Sequence, residues 1–195
     1  MDLAIDQTSP RHRWSLAAGV ASWGLRPVTN VADDGVCLTA RRAGCIVTEQ
    51  GRLRGVYGRW WPYAGNQLQM LWDIRFRSLG GDRCELYYHS PLGSPGFLTL
   101  AYIRSGPATS LGTAYAATLI LDEIARLKQA SAIVCHVTNG RISDRLLLRW
   151  GWQTHCPQWS GRHFIKRFYE QYPSIPASWR KRLTLETLGN SSVSE

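Results

Sequence analysis

The chain has 195 residues, 44% hydrophobic and only 19% charged, with 23 Lys+Arg against 14 Asp+Glu for a formal charge of +9. That length and apolar content suit one sizeable core and exclude a disordered chain, which would be apolar-poor and charge-dense. They exclude a helical membrane span as well, since no apolar run approaches the ~20 residues that a bilayer requires.

The amino-terminal stretch from Met1 sets acids before bases around no apolar centre, so it does not read as a secretion signal. The first predicted element is a short helix over Trp14–Trp23, closed by Pro27. From about Val36 to Ile103 the pattern is mostly strand. Runs of strand formers on either side of Glu49-Gln50-Gly51 predict a hairpin. Leu68–Arg77 predicts another strand, ended by Gly80-Gly81-Asp82. A further strand starts at Cys84, and a loop over Pro91–Gly96 leads into the nearly continuous apolar run Phe97–Ile103, as expected of a strand buried on both faces.

The period then changes. Apolar residues three and four apart predict a long helix over Leu111–Gln129, followed by a buried strand over Ser131–Val137 and a shorter helix over Ile142–Trp150 that stops at Gly151. Two strand-like runs, Trp152–Cys156 and Arg162–Tyr169, flank a turn over Pro157–Gly161. Pro173 and Pro176 open a basic tail whose last residues are expected to fray. An antiparallel first half followed by strand, helix, strand, helix, strand, strand predicts one mixed sheet with helices on its faces.

Chemistry concentrates at the junction between the Phe97–Ile103 strand and the long helix. A strand that ends in a loop with Gly106 and Gly112 and then enters a helix presents free backbone N–H groups and a positive dipole end, which is a site for an anion such as phosphate. The alternative is a turn that uses glycine for its geometry alone. No GxxxxGK[ST] and no GxGxxG occurs.

Thr109-Ser110-Leu111-Gly112-Thr113-Ala114 resembles the Q/R-x-x-G-x-G/A loop of the GNAT superfamily of acyl-CoA-dependent N-acyltransferases. Asn139 follows the next strand, and a Gly-aromatic pair, Gly151-Trp152, follows the next helix, in the family's order. The likeness covers roughly Phe97–Tyr169. It implies a single, mostly antiparallel mixed α+β sheet with a central, splayed parallel strand pair and flanking helices. The implied organisation is a segment 1–30, an acyltransferase domain 31–172 and a basic tail 173–195. It further implies that acetyl-CoA or another acyl-CoA lies along the strand through Ile103. Its phosphates would rest on the amides of Leu111, Gly112, Thr113 and Ala114, with Asn139 beside the cofactor. An amine, on a small molecule or a protein, would attack the thioester directly. Two positions depart from the pattern. Thr109 stands where the family has Gln or Arg, and Leu146 stands where it often has the Tyr that protonates the departing thiolate.

An amine nucleophile needs a base. His136, on the strand beside the splay, is the first candidate, and a hydrogen-bonded core histidine is its alternative. Glu85 is the second, on a strand where Tyr87 and His89 share one face and Tyr88 takes the other. Asp73 is expected to pair with Arg75 or Arg77. The five cysteines, Cys37, Cys45, Cys84, Cys135 and Cys156, form no CxxC pair and read as reduced thiols of a cytoplasmic protein. No metal is expected, because neighbours on a strand such as Cys135 and His136 point to opposite faces.

The sequence therefore supports an acyl-CoA-dependent N-acyltransferase. Two alternatives stay open: an acyl-CoA-binding protein of weak or lost activity, and a basic nucleic-acid-binding module without chemistry. The second draws on the arginine groups at Arg52/Arg54/Arg59 and Arg180-Lys181-Arg182. No membrane partner is expected, and most of the positive charge falls outside the proposed phosphate loop.

Overall fold

A computed structural model describes residues 26–59, 79–137, 142–169 and 171–183. The elements are α1 (Gly35–Ala40), β1 (Ala43–Glu49), β2 (Arg52–Arg59), β3 (Arg83–His89), β4 (Phe97–Ser105), α2 (Leu111–Leu127), β5 (Ala132–Val137), α3 (Asp144–Arg149), β6 (Gln153–Thr154), β7 (Arg162–Arg167) and α4 (Ala177–Arg182). All seven strands form one mixed sheet in the order β2-β1-β3-β4-β5-β7-β6. Among the described residues its one parallel pair, β4 with β5, is joined by α2, and the other pairs are antiparallel. A helix is the ordinary connection for such a pair, since parallel neighbours need a long crossover. No helix among the described residues is long and apolar enough to cross a membrane.

Alternation along the strands sorts the side chains onto two faces. Thr48 Oγ1 donates to the Thr113 carbonyl and Lys166 Nζ donates to Asp122, which marks one face as the one that α2 covers. Ile46, Leu86, Leu98, Ile133 and Phe164 lie on that face by register and meet Ala116, Ala117, Ile120 and Ile124 of α2 in the core. Ile120, Leu121 and Ile124 are each 0% exposed, and such residues contribute about 1.5–3 kcal/mol apiece on burial.

The predicted hairpin is present. Gln50 and Gly51 both take positive φ, 51° and 70°, giving the two-residue turn whose twist suits a hairpin. Gly151, at φ 85°, ends α3 as expected, and the Trp152 amide closes back onto the Leu147 carbonyl at 3.0 Å.

Two short helices differ from the expected pattern. Gly35–Ala40 is helical within the stretch read as strand, because Leu38 is driven fully into the core from a six-residue turn too short to show a period. Ala177–Arg182 is also helical, within the basic carboxyl-terminal stretch. The predicted helix over 14–23 and the strand over 68–77, with Asp73, lie outside the described residues.

Candidate functional site

The parallel pair opens partway along its length. β4 and β5 are in register from Phe97↔Ala132 to Leu100↔Cys135, yet β4 runs on to Ser105 and β5 to Val137. The cause lies in the other ladder of β4. There Tyr87 pairs with Tyr102 and Tyr88 pairs with Leu100, so Ala101 is an extra residue, a β-bulge. A bulge bends its strand and increases the local twist, and this one falls where the pairing with β5 ends. Past Leu100, β4 therefore keeps its ladder with β3 while its pairing with β5 has ended. The parallel pair thus parts past Leu100, and a gap opens between β4 and β5 within the sheet. Ile103 lies on this stretch of β4.

The loop after β4 delivers α2 to the mouth of the gap. A Cβ on Gly106 would stand 2.0 Å from the Leu79 carbonyl oxygen, so only glycine fits there. The Thr109 hydroxyl closes the turn, accepting from the Gly106 amide and donating to the Arg83 carbonyl. Ser110 caps α2, its Oγ accepting from the Thr113 amide at 3.1 Å.

Of the four amides expected to hold phosphate, two are used within the fold. Thr113 N–H is capped by Ser110, and Ala114 N–H bonds to the Ser110 carbonyl. The amides of Leu111 and Gly112 have no partner among the described residues. The Thr113 side chain is fully buried and accepts from the Gly51 amide, tying the β1–β2 turn to the first turn of α2.

An acid that sequence spacing does not single out also sits here. Asp82 accepts from the Ser110 amide at 2.7 Å and from its hydroxyl at 3.0 Å. Desolvation pushes the Asp82 carboxyl up, but the bonds from the Ser110 amide and from the Thr113 and Ser110 hydroxyls outweigh it and hold the group below the usual carboxylate range.

The sheet face opposite α2 carries the polar residues beside the gap. Glu85 is 7% exposed and accepts from Arg83, Arg104 and the Tyr87 hydroxyl at 2.9, 3.3 and 2.9 Å. With three donors on its two oxygens it is an organising anion and has little room left to take a substrate proton. Tyr87 stacks on Tyr102 at 5.7 Å, under the Arg59 guanidinium. Burial, then the charges of Cys45 and Glu85, push the Tyr87 hydroxyl far up, so it stays protonated. The Arg83-Glu85-Tyr87 alternation was the available signal for this cluster. Its completion by Tyr102 and Arg104 depends on the β3–β4 register.

His136 also lies on this face, one residue past the last β4–β5 pair, and it is exposed. Its ring stacks on His163 of β7 at 4.4 Å and 11°, and a Cβ on Gly161 would meet its Nε2 at 2.4 Å. The imidazole thus leans toward β7, beside the gap. His89, on the same face, sits at the opposite end of β3. Its Nδ1 is buried with no hydrogen-bond partner among the described residues, and desolvation lowers its pKa. Asn139 lies outside the described residues.

The cysteines are unreactive where buried: desolvation pushes the Cys45, Cys84 and Cys135 thiols up to about 12. Cys135 is buried on the α2 face while His136 is exposed on the other, as alternation requires. No group of three or more His, Cys, Asp or Glu that could hold a metal ion occurs among the described residues.

No protein-family model matches the sequence, and no curated protein matches it. Two solved structures are similar to it. One, from Desulfovibrio desulfuricans and described as a GNAT-family acetyltransferase, is 16% identical with a TM-score of 0.33, over 43% of this chain. The chain spans 58% of that protein's length. The other, a nourseothricin acetyltransferase, is 16% identical with a TM-score of 0.36, over 73% of this chain and 97% of its own.

Proposed function

We propose that the protein is an acyl-CoA-dependent N-acyltransferase in which an amine attacks the thioester carbonyl directly. The observation that carries this reading is the bulge at Ala101. There the ladder between β4 and β5 ends, while β4 runs on to Ser105 and the loop that enters α2, so the β5-side edge of β4 parts from its neighbour within the sheet. An extended chain with alternating amide donors and acceptors can add to such an edge as a further strand would. The pantetheine arm of CoA has that chemistry, and the Leu111 and Gly112 amides at the positive end of α2 suit the phosphates that follow it. The acyl-CoA supplies an activated carbonyl; the chain's own residues hold and orient it.

On the polar face, the Tyr87–Tyr102 stack and the Glu85 carboxylate, held by Arg83 and Arg104, form a wall where an amine would approach. His136 is the group able to take its proton, directly or through water. Leu146 offers no hydroxyl to the departing thiolate, and His136 is stacked against His163. Both observations favour a second reading, an acyl-CoA-binding protein with weak turnover.

Calorimetry with CoA and acetyl-CoA at low and moderate salt tests the first step, with saturable one-to-one binding expected. Gly112→Glu is expected to abolish it without unfolding the chain. Among the described residues a Cβ there meets only Ser110 and Trp179 atoms, at 3.8–3.9 Å, and an acid suits a helix amino terminus. Thiol release with a panel of amines then separates enzyme from binder. Absence of CoA binding, together with nucleic-acid binding that falls steeply with salt, overturns the proposal.

A further inference from the structure

The β1–β2 turn and α4 together line a hollow that the acyl-transfer reading does not use. Glu49, Gln50, Arg52, Arg54 and Arg182 surround a volume of about 420 Å³. Three guanidiniums face one carboxylate there, a local charge of 3 − 1 = +2. Glu49 is occupied by Arg54, whose Nε donates to it at 2.7 Å. Arg52 has no hydrogen-bond or ion-pair partner among the described residues. Nor does Arg182, whose guanidinium instead lies 5.5 Å from the centre of the Trp179 ring.

Two unpaired arginines from elements far apart in sequence, converging on one hollow, are placed to bind an anion. Guanidinium is the side chain that grips phosphate oxygens through paired N–H donors. A local charge of +2 matches the dianion of a phosphomonoester, and the volume falls within the range of small-ligand pockets.

The hollow also adjoins the first turn of α2. Gly51 donates to Thr113 Oγ1 at 2.8 Å, and the Trp179 ring lies 3.6 Å from a Cβ on Gly51 and 3.9 Å from one on Gly112. The same turn and the same tryptophan thus border both the Leu111 and Gly112 end of α2 and the arginine hollow.

We infer that this hollow is a second anion site, with Arg52 and Arg182 binding the phosphomonoester group of a nucleotide. On the acyl-CoA reading, from which this extension proceeds, that group is the phosphate on the cofactor's ribose. The carboxyl-terminal helix then belongs to the ligand site.

Calorimetry on the full chain tests the inference with adenosine 3′,5′-bisphosphate and, as control, adenosine. The bisphosphate is expected to bind one-to-one and adenosine not at all. Arg52→Ala and Arg182→Ala are each expected to weaken binding about tenfold, the scale of losing one charge-assisted contact. Both side chains are exposed, so unchanged melting of the variants certifies the fold. Failure of the bisphosphate to bind, or equal affinity in the double variant, overturns the site. Tighter binding of a single-stranded oligonucleotide at the same arginines also overturns it, in favour of a polynucleotide groove.

A parallel comparison of CoA with dephospho-CoA separates this inference from the functional reading. CoA is expected to bind about tenfold more tightly, with the difference lost in the arginine variants. Equal binding of the two overturns the hollow and leaves the acyl-CoA reading standing. Bisphosphate binding without CoA binding overturns that reading and leaves the hollow as a nucleotide site.

Discussion

At the residue scale the most deeply buried ion pair among the described residues joins α2 and β7. Asp122 and Lys166 are 4% and 8% exposed, with Nζ 2.6 Å from Oδ2. Burial pushes the Asp122 carboxyl up to about 6 against the opposing pull of Lys166. Two charges removed from water recover their desolvation cost only through each other, so removing one partner is worse than replacing both. Asp122→Asn is expected to lower stability by about 3–5 kcal/mol in urea unfolding, and Asp122→Leu with Lys166→Met to restore it to near the starting value. The pH dependence has a definite sign. A carboxyl with a raised folded pKa binds protons more tightly in the folded chain. Its contribution is present below the unfolded value near 4 and is lost as pH rises through about 6. Relative to the double variant, the natural chain should therefore gain stability between pH 7 and pH 5. A difference independent of pH across that window would contradict the assignment.

At the scale of elements, the first turn of α2 is fixed by neighbours distant in sequence. Ser110 caps it, Asp82 clamps Ser110 from 28 residues away, and Thr113 is held between Gly51 and Thr48. Ser110→Ala is expected to cost about 1 kcal/mol of stability, as for other lost amino-terminal caps. The Asp82 carboxyl, held low, contributes stability that is present above its unfolded value and lost as pH falls through the lower folded one. Asp82→Asn should flatten the acid end of the stability profile, below about pH 4, while leaving neutral pH little changed.

The same turn marks what the sequence could and could not disclose. The hairpin at Gln50-Gly51, the strand-to-helix junction at Gly106–Gly112 and the end of α3 at Gly151 were legible, because period and turn chemistry are local. The Ala101 bulge was not, since a one-residue slip exists only in the ladder between two strands. Nor was Asp82's role at the cap, or the Arg83-Arg104-Tyr87 grip on Glu85, for the same reason.

At the scale of the whole molecule, a charge of +9 needs a structural destination, and the strand-to-helix loop is not it, since Thr109–Ala114 holds no Lys or Arg. Part of the excess converges at the β1–β2 turn and α4. The carboxyl-terminal stretch is basic in composition, yet it packs on the domain. Tyr172 donates to the Ala130 carbonyl beyond the far end of α2, Ile175 and Leu183 are buried, and Trp179 meets Tyr115 edge-on at 5.7 Å. This stretch therefore runs the length of α2 and ends at the helix's first turn. Trp179 sits at the centre of this arrangement, beside Gly51 of the hairpin turn, Gly112 of the first turn of α2 and the Arg182 guanidinium.

Trp179→Ala is accordingly expected to act on two observables together. Loss of a half-buried indole should lower stability by about 2 kcal/mol, below the 3–5 typical of a core tryptophan. It should also weaken adenosine 3′,5′-bisphosphate binding, because Arg182 loses the ring that it lies against. Trp179→Phe, which keeps an aromatic surface under the guanidinium, should recover much of both losses. Thermal melting and calorimetry on the two variants decide it. Full bisphosphate affinity in Trp179→Ala would mean that the carboxyl-terminal stretch stabilises α2 without shaping the anion site.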